Sequence, residues 1–348
     1  MEQQSPSIFY SSMRAFFVSI FTLLGIGLGL VVFFGVLGGL GGDELENKTS
    51  YKVLPDASGE RKSLGTSAPV ILQLNIDGVI GMQDLTTSKM RTLLTESREG
   101  SFKDARVKAI LLNINSPGGV SFDAMAIYHM LKEYKERYNT PIIAYTDGLC
   151  ASGSLMIAVA ADKIVASEGS IVGSVGVVTN TFFNASELIK KYDIQALTVF
   201  KGKNKDMMNP WRPWKEDEAA PVQSLVDYHY DIFVNMMTTN RPGLDKDKLI
   251  NEYGANVYSA EKAVELGYID AAGYSYSKAL NLAVEAAALE GKEYRVVQLT
   301  SKTWVADLFN ERFPLMQGKV THQLQLHPDL HPELMNKFLY LYIPGMTQ

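Results

Sequence analysis

The stretch VKAILLNINSPGG (107–119) places a buried strand and a glycine turn directly before the helical pattern SFDAMAIYHMLKEYKERY. An apolar run of this length, bounded by turn residues, is typical of a strand that is covered on both faces. Comparable runs occur on either side, in VILQLNIDGVI (70–80), PIIAYT (141–146) and KIVAS (163–167). The alternation of strands and helices predicts an α/β fold with a largely parallel sheet and helices packed around it.

Further elements fit the same alternation. Helical patterns occur at 152–161, 184–193, 221–240 and 259–267, and QALTVF (195–200) has the composition of a strand. Short apolar runs separated by amphipathic helices in this way predict parallel strands joined by helical crossovers.

The charge balance argues against one broad class of function. The 348 residues include 33 basic and 38 acidic side chains, the net charge is −5, and no large basic cluster occurs. A nucleic-acid binding surface is positively charged, so we expect no nucleic-acid partner. The single cysteine cannot form an intramolecular disulfide, so cysteine usage does not identify the redox compartment.

The N-terminal region contains the uncharged run AFFVSIFTLLGIGLGLVVFFGVLGGLGG (15–42). At ~1.5 Å per residue, a helix of this length exceeds the ~30 Å hydrocarbon core of a bilayer. The run is longer than the ~7–15 apolar residues of a cleaved signal peptide, so we expect an uncleaved transmembrane anchor. Arg14 precedes the run and acidic residues follow it. The positive-inside tendency then predicts a short cytoplasmic segment, 1–14, and a large part outside the cytoplasm.

The remainder divides into three parts. A polar, turn-rich linker is predicted at 43–67, a folded domain at 68–292 and a C-terminal arm at 293–348. Within the arm, FLYLYIP (338–344) allows two interpretations. It is either a segment that docks on its own or a neighbouring domain, or an extended apolar peptide that occupies a substrate groove.

The glycine turn NSPGG (115–119) is the first candidate for chemistry. It follows a buried strand and precedes a helix, where free backbone N–H groups point outward. Such groups can stabilise a carbonyl oxygen that becomes negative during acyl transfer. The other interpretation is an ordinary tight turn between a strand and a helix.

A second candidate is DGLCASGSLMIA (147–158), which holds Cys150 and Ser152 among small residues. Small neighbours allow a substrate backbone to approach a nucleophile. Lone buried cysteines usually pack as small hydrophobes, so we interpret Cys150 as structural. Ser152 is either a nucleophile or a serine that caps the following helix.

The general base is not evident from local sequence. His129 and His229 lie inside helical patterns, and prolines interrupt the spacing of His327 and His331, so these four histidines favour structural roles. A lysine can replace histidine when burial lowers its pKa from ~10.4 towards neutrality. The run KGKNKDMMNP (201–210) contains three candidate lysines, and composition does not distinguish them.

Taken in order, several motifs resemble those of the signal peptide peptidase A (protease IV) family, in its short, single-domain, membrane-anchored form. The resemblance covers about residues 68–275 and the anchor. It rests on the following motifs: IDGVI (76–80), NSPGG (115–119), ASGS (151–154), ADKIVA (161–166), GSVGV (173–177) and KGKNKDMMNP (201–210). The resemblance implies a ClpP/crotonase-like fold and a serine peptidase with a Ser–Lys dyad.

The same resemblance implies a role for each matching residue. Ser152 corresponds to the nucleophile, Lys205 to the general base and Ser174 to the hydroxyl that orients the lysine. The backbone N–H of Gly119 corresponds to an oxyanion donor, with Gly153 as a second candidate. The family usually has ASGGYY or ASGAY where this chain has ASGSLM, which raises the question of whether Ser154 narrows the approach to the nucleophile.

The resemblance also implies an assembly and a substrate class. Short-form members are rings in which neighbouring subunits supply the serine and the lysine of one site. Their substrates are remnant signal peptides and other unfolded hydrophobic chains, hydrolysed without a metal or an organic cofactor. The expected location is the bacterial cytoplasmic membrane, with the catalytic domain on the extracytoplasmic side. The main alternative is a catalytically silent membrane scaffold of the same fold.

Overall fold

The computed structural model describes residues 8–40, 50–65, 67–300 and 338–342. The chain divides between Lys48 and Thr49 into two compact units. The chain therefore comprises an N-terminal helix and a separate α/β unit.

The N-terminal unit contains one long helix, α1 (Ile8–Leu40). Its segment Ser12–Phe33 has 22 residues, a mean hydropathy of 2.5 and no buried side chains. At ~1.5 Å per residue this length matches the ~30 Å core of a bilayer, and a helix belonging to a soluble core would bury its apolar side chains. Among the described residues, one helix, α1, is long enough and apolar enough to cross a membrane. An anchor and a signal sequence both have these properties.

The second unit is built on an eight-stranded sheet within the described residues. Its strands are β1 (Ser50–Leu54), β2 (Val70–Asp77), β3 (Val107–Ser116), β5 (Ile142–Ala151), β6 (Lys163–Ala166), β7 (Ile171–Gly173), β8 (Val257–Ser259) and β9 (Arg295–Thr300). The order is β1-β9-β2-β3-β5-β7-β8, and β6 pairs with β5 outside this path. All pairings are parallel except β1 with β9 and β8 with β7, at the two edges. The predicted α/β fold with a largely parallel sheet is confirmed.

A separate two-stranded sheet pairs β4 (Gly118–Val120) with β10 (Leu339–Leu341) in antiparallel register. The helices of this unit are α2 (Thr87–Glu96), α3 (Ser121–Tyr138), α4 (Gly153–Ala158), α5 (Ser186–Lys191), α6 (Ala220–Asn240), α7 (Lys246–Lys248), α8 (Ala260–Glu265) and α9 (Tyr276–Ala286). Short 3-10 and π turns occur at Gly100–Phe102 and Leu249–Tyr253.

The helices cover both faces of the sheet. Along β2, Leu72 packs with residues of α3, α4 and α6, whereas the neighbouring Ile71 packs on the other face with residues of α9. This alternation follows from the two-residue period of a strand. Both residues are fully buried, and burial of such a side chain contributes ~1.5–3 kcal/mol. The doubly covered sheet fixes the ends of its central strands, where the candidate site lies.

Three details differ from the sequence predictions. The strand predicted for QALTVF (195–200) is wrong, because these residues form no regular element and their side chains are exposed. A strand needs a partner for its backbone groups, and no described strand pairs with this segment. The sheet also extends past the predicted boundaries at 68 and 292, since β1 and β9 pair with each other and β9 pairs with β2.

Candidate active site

Ser152 lies at the junction between β5 and α4. Its backbone has φ 56° and ψ −119°, a conformation that L-residues adopt rarely, and the residue is 1% exposed. Its N–H donates to the carbonyl of Gly173 at 2.8 Å, which holds this conformation. Backbone strain of this kind costs ~1–3 kcal/mol and is concentrated at functional sites. The geometry therefore favours a functional serine at this turn.

The side chain of Ser152 does not serve as a helix cap. A capping serine accepts a hydrogen bond from a backbone N–H in the first turn of its helix. Ser152 occupies the capping position of α4 but makes no side-chain cap bond. Within the described parts of the chain, its hydroxyl has no hydrogen-bond partner, so it is not committed to a structural bond.

The glycine turn is packed too tightly for side chains. Gly118 and Gly119 have φ values of 96° and 157°, and a Cβ on Gly119 would collide with the backbone of Ile80. Ile80 N–H donates to the Gly118 carbonyl at 2.8 Å, and Val120 N–H donates to the Ile80 carbonyl at 2.9 Å. These bonds hold the backbone of the turn in place.

The turn and the candidate nucleophile lie side by side. β3 pairs with β5 through Ser116 and Cys150, which brings the ends of the two strands together. A Cβ on Gly118 would lie 2.7 Å from the backbone nitrogen of Gly153. The predicted oxyanion turn and the serine junction therefore form one site.

Ser154 connects the end of β3, which leads into the glycine turn, to the end of β5, which leads into the serine junction. Its hydroxyl donates to the carbonyl of Ser116 at 2.7 Å and to that of Ala151 at 2.9 Å. The residue is fully buried. The departure from the family pattern therefore places a hydroxyl inside the fold, where it ties the turn to the junction, and not in the approach to Ser152.

Ser174 follows β7, the strand next to the junction. β7 pairs with β5 through Gly173 and Ala151, so Ser174 lies one residue beyond the carbonyl that holds Ser152. Its own φ is 60°, and its N–H donates to the carbonyl of Asn256 at 2.7 Å. A second serine thus lies in a strained turn beside the candidate nucleophile.

Cys150 points into the hydrophobic core. It is fully buried, and burial raises the pKa of its thiol to about 12. A thiol nucleophile requires the thiolate form, which this environment disfavours. The structure therefore supports the interpretation of Cys150 as a packing residue.

The candidate bases lie elsewhere. Lys205 is exposed in an irregular segment, and no hydrogen bond joins it to Ser152 or Ser174 among the described residues. His129 lies in α3 and His229 in α6, while the pair at 327 and 331 lies outside the described residues. Within the described residues, the serines and the glycines of the predicted site thus lie together, and Lys205 makes no hydrogen bond to them.

The C-terminal strand β10 lies directly on the glycine turn. Its register sets Tyr340 opposite Gly119, and a Cβ on Gly153 would lie 3.1 Å from the Tyr340 carbonyl oxygen. On its other edge, Leu339 exchanges hydrogen bonds of 2.9 and 3.0 Å with Val178. The Tyr340 side chain is fully buried against Phe233. An extended peptide thus occupies the space between the turn and Val178, a contact that sequence reasoning offered only as one of two alternatives.

Replacing Gly118 with alanine should destabilise this arrangement. The new Cβ would collide with the Tyr340 carbonyl in a backbone conformation that alanine disfavours. We expect a loss of more than about 1 kcal/mol and a melting temperature lower by about 3 °C or more. Gly169→Ala is the control, because that position has open space around it. Equal melting temperatures for the two variants would contradict the tight packing of the turn.

Comparison with known proteins agrees with the fold. Residues 135–290 match the model of peptidase family S49, and residues 89–170 match that of Clp protease. A predicted signal peptide peptidase SppA of Enterococcus faecium is 32% identical over 217 residues, which is 61% of this chain and 62% of the relative. Protease 4 of Haemophilus influenzae is 28% identical over 247 residues, 68% of this chain and 38% of the relative. The chain thus spans less than two thirds of the length of either relative.

Solved structures include a variant of the 1510-N membrane-bound stomatin-specific protease in complex with a substrate peptide, with a TM-score of 0.42. It is 15% identical, and the match covers 68% of this chain and 94% of that chain.

The parallel sheet and the serine junction define an α/β protein of the Clp protease-like fold class. Within that class, residues 135–290 match peptidase family S49, and the chain is similar to the signal peptide peptidase SppA and protease 4 relatives. The region that matches the family model includes Ser152, Ser174 and Lys205.

Proposed function

We propose that this chain is a membrane-anchored serine endopeptidase that uses a Ser–Lys dyad. The observation that carries the proposal is the position of β10, an extended peptide whose Tyr340 carbonyl lies against Gly118 and Gly153, next to Ser152. A peptide substrate needs the same arrangement, with its backbone paired to a strand and its carbonyl between the nucleophile and N–H donors.

The reaction follows from the roles of these groups. Lys205 takes the hydroxyl proton of Ser152 as the serine oxygen attacks the substrate carbonyl. The oxyanion is stabilised by the N–H of Gly119, with Gly153 as a second donor. The C–N bond then breaks, the amine leaves with the proton from the lysine, and water hydrolyses the acyl-enzyme. Ser174 orients the lysine.

The lysine comes from a neighbouring subunit of a ring. Among the described residues, no hydrogen bond joins Lys205 to Ser152 or Ser174 of its own chain, and the segment leading to it carries exposed apolar side chains. Phe183, Leu197 and Val199 are 69%, 89% and 88% exposed. Exposed apolar surface of this kind marks a contact with another protein, and a second copy of the chain would bury it while supplying Lys205.

The substrates are remnant signal peptides and other unfolded hydrophobic chains. An antiparallel pairing at β4 requires an extended backbone, which a folded substrate does not offer. The surroundings of Tyr340, which include Phe233 and His229, accept a large aromatic side chain. The name of the Enterococcus faecium relative agrees with this class of substrate.

The apolar helix α1 anchors the protein in the bacterial cytoplasmic membrane as a single span. Positive charge before the span and acidic residues after it support a catalytic domain on the extracytoplasmic side. Remnant signal peptides are released within the same membrane, so the anchor brings enzyme and substrate together.

The test uses the full-length protein in detergent and an unfolded apolar peptide. Lys205→Ala should lower kcat about 10³-fold or more, because the serine loses its base. Lys201→Ala changes an exposed lysine of the same segment and should stay within about twofold, as should Cys150→Ala. Wild-type protein without activity on a panel of apolar peptides would favour the alternative function, a catalytically silent membrane scaffold.

A further inference from the structure

The segment that carries Lys205 has little support from regular structure. Between Lys201 and Asp217 the backbone forms turns and irregular loops, and the N–H of Lys205 makes only a 3.3 Å bond to Gly202. A general base must nevertheless be held in a fixed place relative to its nucleophile. The residues just after Lys205 provide this support.

Arg212 binds two carboxylates with one guanidinium group. Its Nε donates to Oδ2 of Asp206 at 2.8 Å, and its Nη2 donates to the backbone carbonyl of the same residue at 2.9 Å. On the opposite side, Nη2 and Nη1 donate to the two carboxylate oxygens of Glu218 at 2.6 and 3.0 Å. Arg212, Asp206 and Glu218 are called the Arg212 cluster below.

Glu218 also holds the backbone on both sides of Arg212. Its carboxylate accepts the N–H of Met208 at 2.9 Å and the N–H of Lys215 at 3.0 Å. The side chain is only 5% exposed, and hydrogen bonds from Arg212 lower its pKa to about 2. The carboxylate is therefore ionised throughout the neutral range, and the contacts persist there.

The cluster connects Lys205 to the core of the domain. Glu218 lies two residues before the start of α6, and this helix buries Phe233, Val234 and Met237 in the main core. A continuous path thus runs from the core through α6, Glu218 and Arg212 to Asp206, the residue that follows Lys205. A rigid core holds an otherwise irregular segment through this path.

We propose that Arg212, Asp206 and Glu218 are positioning residues that hold Lys205 in the geometry required for proton transfer. This inference rests on the proposed function, in which Lys205 is the base. The planar guanidinium makes several hydrogen bonds with fixed directions, and a lysine ammonium cannot reproduce them. The role of the cluster is therefore one of geometry and not of charge alone.

The test compares matched variants of the full-length protein. Arg212→Lys should lower kcat about 10²-fold, the effect of a base displaced by about 1 Å, with KM within about twofold. The acidic limb of the pH profile of kcat/KM should also move, because it reports the environment of the base. Glu218→Gln keeps the shape of the side chain. Like Arg212→Lys, it should lower kcat and shift the acidic limb of the pH profile.

Arg241→Lys is the matched control. Arg241 also forms a two-pronged ion pair, with Asp270 at 2.9 and 3.0 Å, but it does not belong to the segment of Lys205. It should retain kcat within about twofold and an unchanged pH profile. An equal loss in this variant would show a general effect of losing an ion pair and would overturn the inference.

Two results separate the inference from the proposed function. In the first, Lys205→Ala abolishes hydrolysis while Arg212→Lys and Glu218→Gln retain wild-type kcat and pH profiles. The positioning role of the Arg212 cluster is then wrong, and the assignment of Lys205 as the base stands. If Lys205→Ala retains activity, the assignment of the base itself is wrong. Should Arg212→Lys fail to fold by circular dichroism, Glu218→Gln and the isosteric Asp206→Asn decide the question.

Discussion

Ser152→Ala should lower kcat about 10⁴-fold or more, since the proposed nucleophile that forms the acyl-enzyme is removed. The hydroxyl lies in a strained turn next to the glycines that would bind the oxyanion, and no described residue uses it for a hydrogen bond. The folded state should be retained, because the hydroxyl does not cap α4. Steady-state hydrolysis of an unfolded apolar peptide, with thermal melting as a check on folding, measures both effects.

Ser154→Ala is the appropriate comparison. This hydroxyl lies two residues away and bonds to the backbone carbonyls of Ser116 and Ala151 and to the thiol of Cys150, inside the fold. Its removal should cost about 1 kcal/mol of stability and leave most of the activity. Full hydrolysis by Ser152→Ala would reject the assignment of the nucleophile, and loss of activity only in Cys150→Ala would point to the thiol.

Mixing inactive Ser152→Ala and Lys205→Ala proteins should restore hydrolysis. If one subunit supplies the serine and its neighbour the lysine, half the subunits of an equal mixture carry an intact serine. Half of their neighbours carry an intact lysine. About one quarter of the sites in a randomly mixed ring are then complete, and about one quarter of wild-type activity should return. The measurement is the rate of peptide hydrolysis after subunit exchange.

The control mixes Ser152→Ala with a double variant that lacks both groups, and this mixture should remain inactive. Subunit exchange is followed by energy transfer between fluorophores on the two proteins. Proven exchange without any recovery of activity would place serine and lysine on one chain. The exposure of the apolar side chains between Ser174 and Lys205 would then need an explanation other than a subunit contact that supplies the lysine.

The central part of the fold could be predicted because its pattern depends on burial. The run 107–119 is apolar along the strand and ends in glycines, and the structure has β3, the turn and α3 in these places. The resemblance of motifs located Ser152, Ser174 and the glycine turn, which neighbouring parallel strands bring to one edge of the sheet.

The remaining features depend on contacts that a sequence pattern does not encode. QALTVF (195–200) has the composition of a strand, but composition cannot supply a partner strand. β1 lies in a polar, turn-rich context, and only its pairing with β9 shows that it belongs to the sheet. The Arg212 cluster could not be predicted either, because its contacts arise from a loop without periodicity.

The position of β10 has a consequence for the binding of peptides. Ile80 bonds to one edge of β4 and β10 to the other, so a peptide that pairs with the second edge must first displace β10. Displacement makes the tail an intramolecular competitor whose local concentration does not depend on the amount of enzyme. The apparent affinity for any substrate is then the intrinsic affinity multiplied by the fraction of time during which the tail is undocked. Because this factor is the same for every substrate, the tail raises the concentration of peptide needed to fill the site but leaves the order of affinities among substrates unchanged.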